Sequence, residues 1–438
     1  MTMVSFNRRS LLKGAAAAGA VGASGLLDFA KAWAQQAQWK PEANATLNVL
    51  RWKRFVPAED AEFMKLVDAF SKATGVKMNI SNESFDDIQP KASVAANTGT
   101  GPDIVWGLHS LPQLFPDKVL DVSDVAGYLG KKYGGWFPAA EATCKAKGKW
   151  AAIPVAVNGG YINYRISSIE KAGFKSVPRD TAGFLELCKA LKANNTPCGF
   201  ALGHATGDAN GWLHWVLWSH GAYLADKDGK VSINSPETAK ALEYCKALYA
   251  TFIPGTASWN DSSNNKAFLA GELHLTNNGI SIYAAAKADA ALNAIANDMN
   301  HAEFPIGPVG KPQELQLTFP MLAFRFTKSP NAAKAFMAFL MDAQQYNPWL
   351  EAAAGYLTNT LQAYDNNPVW TKDPKNTVFK NAARNTLPAS GIAPVDERAA
   401  AAIADFIVVD MFANYCTGRE DLKGAMSVAE RQAKRIYR

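Results

Sequence analysis

Between residues 46 and 106 the chain switches repeatedly between a strand period and a helix period, and that alternation restricts its fold more than any other feature. Residues 46–52 carry a short apolar strand pattern, and Phe63, Leu66, Val67 and Phe70 then fall at i, i+3, i+4 and i+7, one face of a helix that stops at Thr74-Gly75. A strand over Val76–Ile80, a helix through Ala92–Ala96, the loop Gly99–Pro102 and a strand Asp103–Trp106 continue the series. Such a run predicts an α/β lobe with a mainly parallel sheet. Ligands of such sheets bind beyond the carboxyl ends of the strands, which points to Trp52–Arg54, Glu83–Ser84 and Trp106–His109.

A second block opens after Gly148-Lys149-Trp150, with strand patterns at 151–157 and 161–164, helices near 167–172 and 180–193, and a tryptophan-rich helix at 210–219. Ser235-Pro236 and Ser329-Pro330 each read as a capping residue followed by proline in the first helical turn. The second of these opens a helix burying Ala333, Phe336, Met337 and Leu340, and the chain from about Ala352 is loop, then a helix with Ile403, Phe406, Ile407 and Met411 inward. With 438 residues, 48% hydrophobic and 19% charged, the chain has material for two or three cores. A small disulfide-stapled domain, a collagen-like fibre and a disordered chain are excluded.

The first 34 residues read as an export leader. Asn-Arg-Arg-Ser-Leu-Leu-Lys over 7–13, a mildly apolar stretch from Gly14 to Leu27, and Ala32-Trp33-Ala34 as a cleavage point fit a twin-arginine signal peptide. The apolar stretch is too short to span a bilayer, which takes about 20 residues. A soluble periplasmic protein is expected, without a lipid anchor, since no Cys lies near the cleavage point. The net charge of +6, which falls to +3 without the leader's four bases and one acid, gives no reason to expect nucleic acid or an anionic membrane as partner. The five cysteines contain no Cys-x-x-Cys pair, and their odd number leaves at least one thiol free in an oxidising compartment, with Cys188 and Cys198 the expected candidates for a bridge.

Several ordered segments carry a resemblance. They are Phe70-x3-Thr74-Gly75-Val76; Gly99-x-Gly101-Pro102-Asp103-Ile104; Gly148-Lys149-Trp150 with Ile153-Pro154 and Tyr164; Val177-Pro178 with the helix after it; Phe268-x2-Gly271-x7-Gly279; Phe304-Pro305 through Ser329-Pro330 to Phe336; and Gly418 to Met426. In these the chain resembles the extracellular solute-binding proteins of ABC importers, of the carbohydrate type that includes maltose-binding protein. The resemblance implies a two-lobed periplasmic binding protein fold of type II, α/β in class, with the lobes joined by crossover hinge strands. It places the N-terminal lobe at 46–154 and 306–347 and the C-terminal lobe at 158–303 and 350–438. It also implies a monomer that captures a small carbohydrate-like solute by hinge closure and delivers it to a membrane permease, with no catalysis and no cofactor. Ser110, Leu111 and Asn158 stand where maltose-type binders often carry charged or acidic residues, so the solute is left open.

A sugar cleft needs flat apolar faces and a few hydroxyl partners. Trp52 and Trp106 suit the first task, and Lys53, Arg54, Glu83 and His109 are candidate polar partners at neighbouring strand ends. Asn158 and Tyr161 lie at the crossover, Trp212 opens the tryptophan-rich helix, Asn278 and Ser281 flank Gly279, and Tyr356 lies on the return path. Lys53-Arg54 would also suit an anionic solute such as a uronate or a glycerol phosphodiester. A polyamine would call for an acidic aromatic cleft and a ferric ion for a Tyr-Tyr pair, which is absent. A secreted carbohydrate-active enzyme is the reading of a different class, with acidic doublets such as Asp86-Asp87 and Asp396-Glu397 as its material. His204, His214 and His220 lack metal-ligand spacing, and there is no Gly-x-Ser-x-Gly elbow or phosphate-binding glycine loop.

Overall fold

The computed structural model describes residues 23–438; the paired arginines Arg8 and Arg9 lie outside the described residues. The described part of the expected leader, from Ala23, lies in α1 (Ala23–Gln36), whose Ala30 is fully buried and whose Trp33 ring meets Phe339 edge-on at 5.2 Å. The Ala32-Trp33-Ala34 step therefore lies within a packed helix.

The alternation then appears as expected: β1 (Thr46–Trp52), α2 (Pro57–Thr74), β2 (Lys77–Glu83), α3 (Ile88–Thr98) and β3 (Ile104–Trp106). Gly75 ends α2 at φ 76°, a left-handed conformation that favours glycine, and donates its N–H to the Ser71 carbonyl. β1 lies between β2 and β3 and is parallel to both. The chain next forms β4 (Ile153–Asn158), turns through Gly159-Gly160, and enters a second sheet at β5 (Tyr161–Arg165). Helices α4 (Thr181–Ala193), α5 (Asp208–Ser219), α6 (Pro236–Tyr249) and α7 (Ser263–Leu269) follow, then β6 (Leu275–Asn278), α8 (Ser281–Ala288) and β7 (Met299–Ala302).

From β7 the chain returns to the first sheet as β8 (Leu317–Ala323), then forms α9 (Pro330–Leu340) and α10 (Ala343–Ala353), and ends in the second lobe with α11 (Ile407–Cys416) and α12 (Leu422–Ile436). The first sheet has the order β2-β1-β3-β8-β4, with β8 antiparallel to both neighbours. The second sheet, β6-β5-β7, is antiparallel throughout, so this lobe is helices packed on a small antiparallel sheet rather than a second parallel α/β unit. Its apolar centre includes Phe184, Leu187, Trp212, Trp215, Leu242 and Phe412.

Three further details differ from expectation. The N-terminus of α9 is capped by Glu42, whose carboxylate accepts from the Asn331 and Ala332 N–H groups at 2.8 and 3.1 Å, while Ser329 makes no side-chain cap. Residues of the 350–383 stretch, expected with the C-terminal lobe, bury Leu357, Leu361, Tyr364 and Trp370 in the first core. They are held there because Thr358 bridges to Val157 and the Thr360 hydroxyl donates to the Pro154 carbonyl at 2.5 Å. The single helix expected through Ile403, Phe406, Ile407 and Met411 is broken at Phe406, which adopts φ 54° and is only partly buried, while Ile403, Ile407 and Met411 face the second core as expected, so the apolar run Glu397–Cys416, long enough for a membrane span, is packed inside the lobe.

At the start of α2 the first core encloses charge. Arg54 is fully buried at its side chain and pairs with Glu59 at 2.6 Å, and the other Glu59 oxygen accepts from the Trp349 indole at 2.8 Å. The guanidinium lies 4.0 Å from the Trp52 ring centroid and 4.3 Å from that of Trp106. Removing one partner of such a pair leaves an uncompensated buried charge, at about 3–5 kcal/mol. Glu59→Ala should therefore lower the urea unfolding free energy by that amount, and Glu59→Gln, which keeps an acceptor for Trp349, by less; a loss below about 1 kcal/mol for Glu59→Ala would contradict this role for the pair.

Candidate functional site

The two lobes meet along a crevice lined from both sides. The first lobe contributes Phe55, beyond the end of β1, Phe85, beyond the end of β2, and Leu317 and Phe319 from β8. The second contributes Gly207 and Asp208 at the start of α5, Asp261 before α7, and Asn278, Gly279 and Ser281 at the end of β6. Asn158 and Tyr356 lie at the crossovers between them.

The polar wall is prearranged. Asn158 ends β4 in register with Leu317 and donates to the Tyr356 carbonyl at 2.7 Å. Gly279 comes so close that a Cβ there would sit 2.7 Å from the Asn158 amide oxygen, so only glycine leaves this amide in place. Asn278 donates to Asn265 and accepts from the Ser281 hydroxyl at 3.2 Å, while Asn265 donates to the same hydroxyl at 2.9 Å.

Of the twelve residues expected here, Asn158, Asn278, Ser281 and Tyr356 line the crevice. Trp52 and Trp106 do not; both are fully buried one layer behind the wall. The Trp52 indole donates to the Tyr356 hydroxyl at 3.0 Å, its ring lies 4.7 Å from Phe319 and 5.4 Å from Phe85, and the Trp106 indole donates to the Phe319 carbonyl at 3.3 Å. Arg54 is locked with Glu59 behind the same wall, so it offers nothing to an anionic solute. Lys53 is exposed to solvent outside the crevice, and Glu83 is turned to Lys91 at 2.7 Å. Tyr161 packs on Phe379 at 5.4 Å, and Trp212, which donates to the Ala201 carbonyl at 2.6 Å, belongs to the second core. His109 makes an interlobe bond instead, its Nε2 2.8 Å from the Thr206 carbonyl oxygen; burial pushes its pKa down to about 4, which keeps the ring neutral.

Sequence reasoning missed Phe55, Phe85, Phe319, Asp208 and Asp261. The two acids carry the site's electrostatics. Asp261 accepts from the backbone N–H groups of Gly207 at 3.0 Å and Asp208 at 2.7 Å, at the amino end of α5, and Asn264 donates to Asp208 at 2.7 Å. From the first lobe Asp86 accepts from the Thr206 hydroxyl at 3.1 Å and comes within hydrogen-bonding reach of Asp261. Helix-terminal N–H donors favour a carboxylate. Burial first, and Asp86 next, outweigh them and push Asp261 up to about 7, while burial and Asp261 push Asp208 well up.

A carboxyl whose pKa is higher in the folded protein than in the unfolded chain contributes stability that is fully present below the unfolded value of 3.8 and is lost as pH rises through about 7. The buried histidines His109, His214 and His301, pushed down to about 4, act in the opposite sense. The comparison with Asp261→Asn isolates the carboxyl. The variant's melting temperature relative to the parent should climb as pH rises from about 4 to 7 and stay level above. A difference that does not change with pH would contradict the raised pKa.

Comparison with known proteins bears on the family and the fold. A probable ABC transporter-binding protein of Deinococcus radiodurans is 23% identical over 251 residues, 56% of this chain and 58% of that one. A putative binding protein of Brucella abortus is 23% identical over 277 residues, 61% of this chain and 64% of that one, so the chain spans less than two thirds of the length of these relatives. Among solved structures, the GacH receptor of Streptomyces glaucescens, determined unliganded and with acarbose, shares the fold at a TM-score of 0.75 and 20% identity over 90% of this chain and 99% of that one. Maltose-bound MalE3 of T. maritima does so at 0.76 and 19%, over 90% and 100%, and a ribitol-bound solute-binding protein of Agrobacterium radiobacter at 0.75 and 17%, over 90% and 98%. The family model of the bacterial extracellular solute-binding proteins matches residues 65–378, well over half of the sequence, and the chain belongs to that family.

Proposed function

We propose that this protein is the periplasmic solute-binding component of an ABC importer, exported by a twin-arginine leader, which captures a sugar or polyol by hinge closure and delivers it as a monomer to a membrane permease. The observation that carries the reading is the crevice itself. Aromatic faces from one lobe (Phe55, Phe85, Phe319) oppose amide, hydroxyl and carboxyl groups from the other (Asn278, Ser281, Asp208, Asp261), the pairing that the two sides of a sugar ring require. Acarbose, maltose and ribitol, the solutes of structurally similar proteins, support a polyhydroxylated ligand. Closure follows from a ligand that touches both walls at once and so binds the closed form more tightly. Binding without turnover separates this reading from a carbohydrate-active enzyme.

A second reading is favoured by one observation. Asp86, Asp208 and Asp261 gather with no basic side chain among the crevice residues, and aromatic rings stand opposite. An ammonium group would be held by the carboxylates and by the ring faces together. A solute bearing an amine, such as an amino sugar or a polyamine, fits this wall, whereas a uronate or a phosphodiester meets the acids with no basic side chain among the crevice residues to offset them.

A thermal-shift panel of neutral sugars, polyols, amino sugars, polyamines, uronates and glycerol phosphodiesters tests both readings. A ligand at 100 times its Kd adds about 2.7 kcal/mol of stability. Shifts with neutral sugars or polyols support the first reading, shifts confined to amines the second, and shifts confined to anions overturn both. For the ligand that binds, Asp208→Ala should weaken affinity at least tenfold, about 1.4 kcal/mol, in line with a lost charged hydrogen bond. Lys53→Ala should leave affinity within about twofold, since Lys53 lies outside the crevice.

A further inference from the structure

The second lobe is assembled from two stretches of chain separated by the passage of β8, α9 and α10 through the first lobe. Where α6 of the first stretch packs on α11 of the second, Cys245 and Cys416 bring their sulfur atoms to 3.6 Å across 171 residues of sequence. Both thiols are buried, and neither is bridged. Cys416 is the last residue of α11, and the exposed Thr417, Gly418 and Arg419 follow it directly, so fraying of a single helix end uncovers it. Cys245, inside α6, is fully enclosed.

We propose that Cys245 and Cys416 are an oxidative cross-linking site, joined by thiol–disulfide exchange with a disulfide oxidant such as glutathione disulfide or an oxidoreductase disulfide, so that the two chain stretches of the second lobe are tied covalently. The Cys416 thiolate attacks the oxidant disulfide, whose S–S bond breaks. A mixed disulfide forms on Cys416 and one oxidant thiolate leaves. Cys245 gives up its proton and attacks the Cys416 sulfur, and the second oxidant thiolate departs. Two protein thiols are oxidised by two electrons, one disulfide is reduced to two thiols, and the two protons pass to those thiols. The order follows from access: burial, together with the neighbouring Cys416, pushes the Cys245 thiol well up, so it stays protonated until the mixed disulfide stands beside it.

This differs from the Cys188–Cys198 bridge expected from sequence. Cys188 and Cys198 are also side-chain neighbours, and Cys198 meets the Thr251 hydroxyl at 3.1 Å as well, but a link between them would join residues of one continuous segment. The Cys245–Cys416 link closes a loop of 171 residues and restricts the unfolded chain more.

The test uses the full-length protein brought to equilibrium with excess glutathione disulfide, alkylated in denaturant and digested without reductant. Alkylation should block three of its five thiols, and one cross-linked peptide pair should contain Cys245 and Cys416. Cys188→Ser should leave that pair intact, and Cys416→Ser should abolish it. The oxidised parent should melt at least about 4 °C above its reduced form, a difference absent in Cys416→Ser. Five alkylated thiols after equilibration, or a Cys188–Cys198 link with Cys245 and Cys416 alkylated, would overturn the assignment. A cross-link at 245–416 that left the melting temperature unchanged or lowered would overturn its role as a tie between the two stretches.

Discussion

The packing of the Arg54 guanidinium against the adjoining Trp52 and Trp106 rings governs the first lobe and the wall of the cleft. A buried cation is tolerated only where something replaces its water. Glu59 supplies one charged hydrogen bond, while both terminal nitrogens of Arg54 have no hydrogen-bond partner and lie among aromatic faces, Tyr356 at 5.1 Å among them. Desolvated cation–π contacts are worth about 2 kcal/mol or more, so the rings are held in place by the charge as much as the charge by the rings. The outer members of this cluster, Phe319 and Tyr356, are themselves cleft residues. The first-lobe wall is thus the far side of a rigid core assembly, set before any solute arrives.

The same arrangement explains which parts of the molecule were legible in its sequence. The strand and helix periods over 46–106 are local properties, and the elements formed where they fell, with the second strand extending further, to Glu83. The insertion of β8 between β3 and β4 was not legible, because strand partners 150 and more residues apart leave no local mark. Trp52 and Trp106 were placed at the correct strand ends but one layer too far forward. A tryptophan at a strand end serves as well behind a wall as on it, and here their indole N–H groups find partners inside, at Tyr356 and Phe319. Arg54 was read as available because Glu59 and Trp349 are not its neighbours in any periodic pattern, and Glu59 is joined to Trp349 across 290 residues.

The second-lobe wall was hidden for a different reason. Asp261 follows Trp259-Asn260 in a loop without a recognisable motif, and it acquires meaning only when the amino end of α5 directs two backbone N–H groups at it. Thr206-Gly207-Asp208, a turn followed by an acid ahead of a helix, was the available sign of that helix start. It announced a cap, but not that the cap would face the other lobe.

These features make closure a matter of charge as well as shape. Across the crevice Thr206 bonds to both Asp86 and His109 of the first lobe, which favours contact between the lobes, while Asp86 meets Asp261, which opposes it unless a proton or a donor intervenes. Two carboxylates in hydrogen-bonding reach cannot both remain ionised in a buried site. In the proposed hinge cycle, a closed form without ligand would bind a proton here, and near neutral pH this would work against closure. A solute that supplies hydroxyl or ammonium donors to these acids removes the opposition at the moment it binds. In the proposed hinge mechanism these three aspartates contribute to the difference in affinity between open and closed forms, with the aromatic wall on the opposite side fixing where the solute would lie to reach them.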